Sequence, residues 1–373
     1  MNCQTKIFLG IDCGATTSKV GGVDSAGEPL SMDLRQSSTN GEGGPGAIIA
    51  GWIAGVEGFL ETHGFGWNNV GGIGLAIPGP YLAYGVLGRQ PNLPAELEGW
   101  QFLAELRRAV AERASYAIRI ETANDGQLAG VPEARLIQRA SPGSVLMLAP
   151  GSGLGCSFVH ADGRVFGGDH QAGVIICHLP APYERLGLPR FRCGCGRDWG
   201  CIEAYTSISG LPQLLEHLLP RYPDHEFARS PESSKSKVLS LRGRAQYGDP
   251  LALEIFDMQA RAMGMAVAAG CMAYDPTHIV IGGGLMDQAS TTPEFRARYL
   301  RGIQESASEM LWVGIGELSF HEARFGDLSQ AIGASLMILQ ADSPAPGQAA
   351  ASRAVAPQTD SMALLSITKQ SNF

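Results

Sequence analysis

The chain has 373 residues, which exceeds one ordinary core and predicts two domains. A hydrophobic fraction of 45% and a charged fraction of 17% are typical of a globular protein. The net charge of −8 argues against a nucleic-acid-binding protein, because such proteins present clustered Lys and Arg to phosphate groups.

The first third of the chain predicts alternating strands and helices. A short apolar run over 6–12 ends in an acidic residue and is typical of a buried strand. A β-hairpin should follow, because the turn 24–27 separates two strand-like runs. The next predicted elements are a helix over 46–65, a strand over 70–80, a helix over 101–114 and a strand over 117–125.

The same pattern then repeats. Residues 144–168 predict a strand, a Gly-rich turn, a second strand, a tight Asp162–Gly163 hairpin turn and a third strand. Two such α/β halves would face each other across a cleft, where ligands prefer to bind. The remaining predicted elements are an exposed loop over 229–237, a helix over 251–274, a strand over 278–287 and a last helix over 331–340.

The first glycine-rich turn is a candidate phosphate site. Gly14 lets the backbone approach a ligand closely, and Thr16 and Thr17 offer hydroxyl and N–H groups. The carboxylate of Asp12 is a candidate Mg²⁺ ligand through water, and Lys19 is a candidate phosphate partner.

Two further glycine-rich turns follow strands, at 151–155 and at Gly282–Gly284. The turn at 151–155 adds the hydroxyl of Ser152. All three turns are equally typical of tight hairpins, so the residues alone leave both interpretations open. A P-loop is excluded because no GxxxxGK[ST] occurs, and a hairpin after the first turn argues against a dinucleotide-binding unit.

The pair Asn124–Asp125 lies between a predicted strand and a predicted helix. One interpretation is a helix N-cap, for which Asn and Asp are preferred. The other is a carboxylate at the cleft that accepts a proton from an attacking hydroxyl, as phosphoryl transfer requires. Both interpretations remain open at this point.

Taken in order, these motifs resemble those of the ROK sugar kinases, which belong to the actin/hexokinase/Hsp70 ATPase superfamily. The agreement covers about residues 6–340. The matching residues are Asp12, Gly14, Thr16 and Lys19 (DxGxTxxK), Pro78–Gly79 and then Pro91–Leu93, Asn124–Asp125, Gly151–Ser152–Gly153 with Gly155, Cys193–Glu203 (CxCGxxGCxE with one extra residue), and Gly282–Gly284 after Asp275–Pro276.

The resemblance implies an α/β fold of two actin-like (ribonuclease H-like) domains, with mixed sheets flanked by helices and a cleft between them. The N-terminal domain would span residues 1–132 with a returning helix at 331–340. The C-terminal domain would span 133–330 and carry a zinc loop. Residues 341–373, rich in Ala, Pro, Ser and Gln, are expected to form a flexible tail.

The resemblance also implies an ATP-dependent sugar kinase that transfers the γ-phosphate of ATP to a sugar hydroxyl, with Asp125 as the base. The sugar would contact Asn124, Glu203, His178 and Gly79. ATP and Mg²⁺ are the implied cofactors, and a homodimer is expected because the family is often dimeric. The implied nucleotide-side residues are Asp12, Gly14, Thr16, Thr17, Lys19, Gly151, Ser152, Gly153, Gly283 and Gly284.

Three cysteines, Cys193, Cys195 and Cys201, crowd into nine residues. In the family this segment forms a structural zinc site together with an upstream histidine, which here would be His178. Thiolates and an imidazole suit tetrahedral Zn²⁺. The alternatives are free thiols or a disulfide, and a Cys193–Cys195 bridge would be strained by its short loop.

One position departs from the family pattern. The family has ExGH at the zinc histidine, and its Glu binds the sugar, whereas Ile175 stands at that place here. An aliphatic side chain would leave sugar hydroxyls unpaired, so an acceptor that lacks a hydroxyl there, or a less polar one, is expected. A non-catalytic sugar- or nucleotide-binding relative is the alternative.

A sugar-sensing repressor of the same family would carry a helix-turn-helix segment before the first strand, and we expect none because that strand starts by Lys6. We also expect a cytoplasmic, membrane-free chain, because it shows neither a signal-peptide pattern nor a long apolar window. Scattered cysteines in apolar surroundings indicate a reducing compartment. They are Cys3, Cys13, Cys156, Cys177 and Cys271.

Overall fold

The computed structural model describes residues 5–14, 16–33, 35–89, 94–312 and 318–342. In these ranges the chain forms two central sheets flanked by helices, and a small third sheet of two short strands. The predicted α/β class with mixed sheets is confirmed.

The first sheet has the strand order β3-β2-β1-β4-β7. Strands β1 and β2 pair antiparallel, while β4 and β7 add in parallel. At the predicted hairpin turn, Gly27 N donates to Asp24 O at 3.0 Å, and the pairing beyond it is a single bridge between Val23 and Pro29. All seven residues of β1 are buried, as expected for a continuous apolar run with both faces covered. The elements are β1 (Ile7–Cys13), β2 (Thr17–Asp24), β3 (Arg35–Ser38), α1 (Gly44–Thr62), β4 (Val70–Ile77), β5 (Tyr81–Ala83), β6 (Val86–Leu87), α2 (Phe102–Ala111) and β7 (Arg119–Asn124).

Two short helices, α3 (Asp125–Leu128) and α4 (Gly130–Gln138), lead into the second sheet. Its order is β11-β10-β8-β9, and β8 pairs antiparallel with β9 around the second glycine-rich turn. At the predicted Asp162–Gly163 turn, Gly163 N donates to His160 O at 2.9 Å, and the third predicted strand contributes only a bridge between Val159 and Val165. The other elements are β8 (Val145–Pro150), β9 (Leu154–Val159), α5 (Glu203–Thr206), α6 (Leu211–Leu218), α7 (Glu226–Arg229), α8 (Ser234–Gln246), α9 (Pro250–Tyr274), β10 (His278–Ile281), α10 (Pro293–Ser308), β11 (Ser319–Glu322) and α11 (Ser329–Asp342).

The last helix, α11, returns to the first sheet and lies directly on β1 and β4. Glycines in the strands permit this close approach. A Cβ atom on Gly10 would lie 1.9 Å from the carbonyl oxygen of Ala331, and one on Gly74 would lie 2.0 Å from that of Ala334. Side chains at either position would push the helix off the sheet.

The predicted exposed loop over 229–237 is confirmed for 230–233 and wrong for 234–237. Helix α8 begins at Ser234, and the side chain of Ser233 caps it by accepting a hydrogen bond from Ser236 N. Lys237 is buried, and its ammonium group donates to the carbonyl oxygens of Phe227 and Ser230. The polar side chains of this segment therefore have structural roles: Ser233 caps the helix, and Lys237 forms hydrogen bonds to two backbone carbonyl groups.

The predicted domain boundary between residues 132 and 133 falls inside α4 and stays a prediction. The motif Pro91–Leu93 and the tail beyond Asp342 lie outside the described residues.

Candidate active site

A cavity of about 720 Å³ brings together residues from both central sheets and the loops that follow them. This volume suits a small ligand. The predicted site residues that line it are Gly79, Asn124, Asp125, Gly151, Ser152, Gly153, His178, Cys195 and Glu203.

The pair Asn124–Asp125 lies where β7 ends and α3 begins. The side chain of Asn124 accepts a hydrogen bond from Gln127 N at 3.3 Å, so the N-cap interpretation is confirmed for this residue. The carboxylate of Asp125 faces the cavity and accepts a hydrogen bond from Gly126 N at 2.8 Å. Burial raises the pKa of Asp125, and the hydrogen bond from Gly126 N opposes this shift. A raised pKa makes the carboxylate a better proton acceptor.

The first glycine-rich turn has hairpin geometry and carries a charged pair at its base. Gly14 N donates to Thr17 O at 3.0 Å, and Thr16 O accepts from the loop before α1. Lys19 Nζ lies 3.7 Å from Asp12 Oδ2 across the strand pair. None of the described residues of this turn lines the 720 Å³ cavity.

The side chain of Asp12 is nearly inaccessible to solvent, with 8% of its surface exposed. Burial raises the pKa of Asp12 to about 7, although the neighbouring Lys19 ammonium opposes this shift. The charge of Asp125 also raises the pKa of Asp12, so these two predicted site residues lie close enough to interact. Such a carboxylate gains stability from a bound cation, as expected at a Mg²⁺ site.

The second glycine-rich turn lines the cavity and also has hairpin geometry. Gly151 N donates to Gly153 O at 2.8 Å. Glu203 packs against this turn, since its Oε2 accepts from Leu154 N at 3.0 Å. A Cβ on Gly153 would lie 2.7 Å from the same carboxylate oxygen, so glycine is needed for this contact.

The third glycine-rich turn lies at a separate cavity of about 400 Å³. Gly283 has a φ of 79° and lines this cavity with Asp287 and Arg324. Gly284 does not line it, and its carbonyl accepts from Arg242 Nη1 at 3.0 Å.

His178, Cys193, Cys195 and Cys201 form one compact cluster, with all four ligand atoms within 4.8 Å of one another. Cys195 Sγ lies 3.7 Å from Cys201 Sγ, and Cys193 Sγ lies 3.8 Å from His178 Nδ1. The edge of a tetrahedron with Zn–S bonds of about 2.3 Å is close to 3.8 Å, so the residues fit a zinc ion. These cysteines are free, and a sulfur separation of 3.7 Å is far too long for a disulfide.

The extra residue of the cysteine segment accompanies an additional contact. Trp199 Nε1 donates to the carbonyl oxygen of His178 at 3.2 Å, and the guanidinium of Arg197 lies 4.6 Å from the Trp199 ring centroid. A residue of the longer spacer, Trp199, is therefore hydrogen-bonded to the backbone of the predicted zinc ligand His178.

Several cavity residues were not predicted. Gln171, Arg89, Arg197 and Ile175 also line the cavity, and Ile175 has 42% of its surface exposed. Gln171 and Arg89 lie outside every motif of the sequence analysis, whereas Arg197 stands at a variable position of the cysteine motif. Gln171 and Val174 have φ values of 53° and 58°, which are uncommon for residues other than glycine.

Comparisons with known proteins agree on one family. The ROK family profile matches residues 8–341. A glucokinase of Halalkalibacterium halodurans is 28% identical over 76% of this chain and 82% of its own length. An N-acetyl-D-glucosamine kinase of Vibrio cholerae is 25% identical over 75% of this chain and 84% of its own length.

A solved ROK family glucokinase from Streptomyces griseus, in complex with glucose and AMPPNP, superimposes with a TM-score of 0.67 at 22% identity. The match covers 89% of this chain and 98% of that one. It confirms the predicted actin-like fold. No helix in the described ranges is long and apolar enough to cross a membrane. This chain is a member of the ROK family.

Proposed function

We propose that this chain is an ATP-dependent carbohydrate kinase that transfers the γ-phosphate of ATP to a sugar hydroxyl. The observation that carries the proposal is one cavity in which Asp125 meets the Gly151–Gly153 turn, Glu203 and His178. Family membership and relatives named glucokinase and N-acetyl-D-glucosamine kinase support it.

In the proposed reaction, Asp125 accepts the proton of the sugar hydroxyl as its oxygen bonds to the γ-phosphorus. The bond from that phosphorus to the β–γ bridging oxygen breaks, and ADP leaves. Mg²⁺, held near Asp12, would neutralise charge on the phosphates when bound. Lys19 and the N–H groups of the Gly14 and Gly151–Gly153 turns are proposed to assist it.

The cysteine cluster is proposed to bind a structural zinc ion through His178, Cys193, Cys195 and Cys201. A closed site of four protein ligands orders its surroundings without taking part in chemistry. The loop it would order carries Glu203, whose Oε1 lies 3.4 Å from Cys193 Sγ. Zinc would thus fix two groups proposed to contact sugar hydroxyls, Glu203 and His178.

The acceptor is proposed to be a sugar that lacks a hydroxyl, or carries a less polar group, near Ile175. An aliphatic side chain in contact with a sugar hydroxyl would leave that hydroxyl without a partner. Asn124 and Gly79 are proposed to contact the acceptor on the opposite wall, where a Cβ on Gly79 would lie 3.0 Å from Asn124 Nδ2.

A second candidate function is sugar or nucleotide binding without turnover. Ile175 favours it, because the cavity lacks the carboxylate that the family pattern places there. The presence of Asp125 with a raised pKa favours the kinase instead.

The test is an ADP-release assay on a sugar panel that includes glucose and N-acetyl-D-glucosamine, with wild type and Asp125→Asn. We expect turnover with at least one sugar, and a loss of about 10³-fold in kcat for Asp125→Asn with little change in KM. Melting-temperature shifts with sugars, without turnover on any of them, would instead establish the binding protein. The homodimer, the flexible tail and the cytoplasmic location remain predictions that size measurement, proteolysis and fractionation would test.

A further inference from the structure

We infer that Gln127 and Glu133 are positioning residues that separately hold the acceptor side and the nucleotide side of the site. This inference rests on the proposed function. Both residues follow Asp125 within the short segment that contains α3 and α4. Both side chains are almost fully buried, with 1% and 2% of their surfaces exposed.

Gln127 holds the loop 167–174, which forms part of the acceptor end of the cavity. Its Nε2 donates to the carbonyl oxygens of Gly173 at 3.1 Å and Gly167 at 3.4 Å. Gly173 N also donates to Gly167 O at 2.8 Å, which closes the loop on itself. The two bonds from Gln127 therefore fix the base of this loop.

The loop needs such support because its backbone is strained. Gln171 and Val174 both lie in the left-handed region, and a β-branched residue such as Val174 rarely adopts it. Both residues line the cavity, and Ile175 comes next in the chain. Strained conformations persist only when their surroundings hold them.

Glu133 holds a different loop, between β11 and α11. Its Oε1 accepts hydrogen bonds from Arg324 N and Phe325 N, each at 2.8 Å. Arg324 and Gly326 line the 400 Å³ cavity together with Gly283, one of the predicted nucleotide-side glycines. One carboxylate oxygen thus fixes two backbone N–H groups of the nucleotide-side wall.

The two contacts lead to opposite expectations. Loss of the Gln127 amide should loosen the acceptor loop and leave the nucleotide side intact. Loss of the Glu133 carboxylate should do the reverse. A general structural role would lower the melting temperature and affect both sides alike.

The experiment compares Gln127→Met, Glu133→Ala and Glu133→Gln in the full chain. Met keeps the length of Gln without its donor, and Gln at 133 keeps one acceptor oxygen. Amide hydrogen exchange is followed in 167–174 and in 323–326 of the unliganded protein. The Kd of MgAMPPNP and the KM values for glucose and N-acetyl-D-glucosamine are measured alongside.

For Gln127→Met we expect exchange in 167–174 to accelerate at least about 10-fold, and the KM for a turned-over sugar to rise about 10-fold, with the MgAMPPNP Kd unchanged. For Glu133→Ala we expect faster exchange in 323–326 and a Kd for MgAMPPNP weakened about 10-fold, with the sugar KM unchanged. Glu133→Gln should behave like wild type.

Equal effects of either variant on both loops, or a lower melting temperature with unchanged local exchange, would overturn the inference. If Gln127→Met does not fold, Gln127→Asn keeps the amide on a shorter side chain, and its exchange in 167–174 is expected to be faster than in wild type. Hydrogen exchange needs no turnover, so it tests the inference even if the chain proves not to be a kinase.

Discussion

The proposed phosphate end and the proposed acceptor end of the site differ in how well their side chains match the family pattern. The phosphate end has the pattern expected for the family, with the Asp12–Lys19 pair and a glycine turn at 151–153. The proposed acceptor end has an exposed isoleucine, Ile175, where the family pattern has a carboxylate. If the proposed roles hold, phosphate binding and acceptor recognition depend on separate residues, and the following experiments test that separation.

Removal of zinc should disrupt the acceptor end most strongly. We expect a chelator that strips the metal to lower kcat/KM for the acceptor about 100-fold, and the melting temperature by about 5–10 °C, because Glu203 and His178 lose their anchor. The MgAMPPNP Kd should change little. Zinc content, turnover and melting curves check this together.

Cys201→Ser should reproduce the effect and make the protein insensitive to the chelator. Cys271→Ser is the matched control, since Cys271 is equally buried but lies in α9 outside the cluster. A chelator response that survives in Cys201→Ser would contradict the assignment of this ligand.

The pH dependence of stability should isolate the phosphate end. An acid whose pKa rises from 3.8 to about 7 on folding destabilises the native state as pH increases through that interval. Relative to Asp12→Asn, the wild type should therefore lose about 2–3 kcal/mol of unfolding free energy between pH 5 and pH 8. Urea unfolding of both proteins at the two pH values measures this difference, and parallel profiles would show that Asp12 is not desolvated as described.

The smallest expected effect is that of a carboxylate introduced at position 175, which tests the proposed acceptor end alone. We expect Ile175→Glu to lower the KM for glucose about 10-fold, because a sugar hydroxyl gains a charged acceptor, and to leave the MgATP KM unchanged. Ile175→Gln offers an uncharged control. Weaker glucose binding in Ile175→Glu would indicate that the cavity is built around a less polar acceptor.

Local patterns predicted most of the fold and part of the site. Features that depend on residues close together in the sequence could be predicted from it. Examples are the apolar runs of β1 and β8, the hairpin turns and the N-cap at Asn124. The predicted loop over 229–237 was wrong for 234–237, because its polar residues did not indicate the Ser233 cap or the buried Lys237 ammonium.

Residues that act across long separations were not readable. Gln127 reaches a carbonyl 46 residues away, and Glu133 reaches N–H groups 191 and 192 residues away. Their partners are backbone C=O and N–H groups, which almost every residue type carries, so the amino-acid sequence does not indicate these contacts. Only the folded topology brings these groups together, so their roles appear once the sheets are assembled.

The seating of α11 on Gly10 and Gly74 has a consequence for synthesis on the ribosome. The glycine-lined face of the N-terminal sheet is completed by a helix that ends at Asp342. At roughly 5–20 residues per second, tens of seconds separate translation of β4 from that of α11. The face of the first sheet that α11 covers must therefore stay uncovered for that time. The strands that are translated first are thus among the last to be buried.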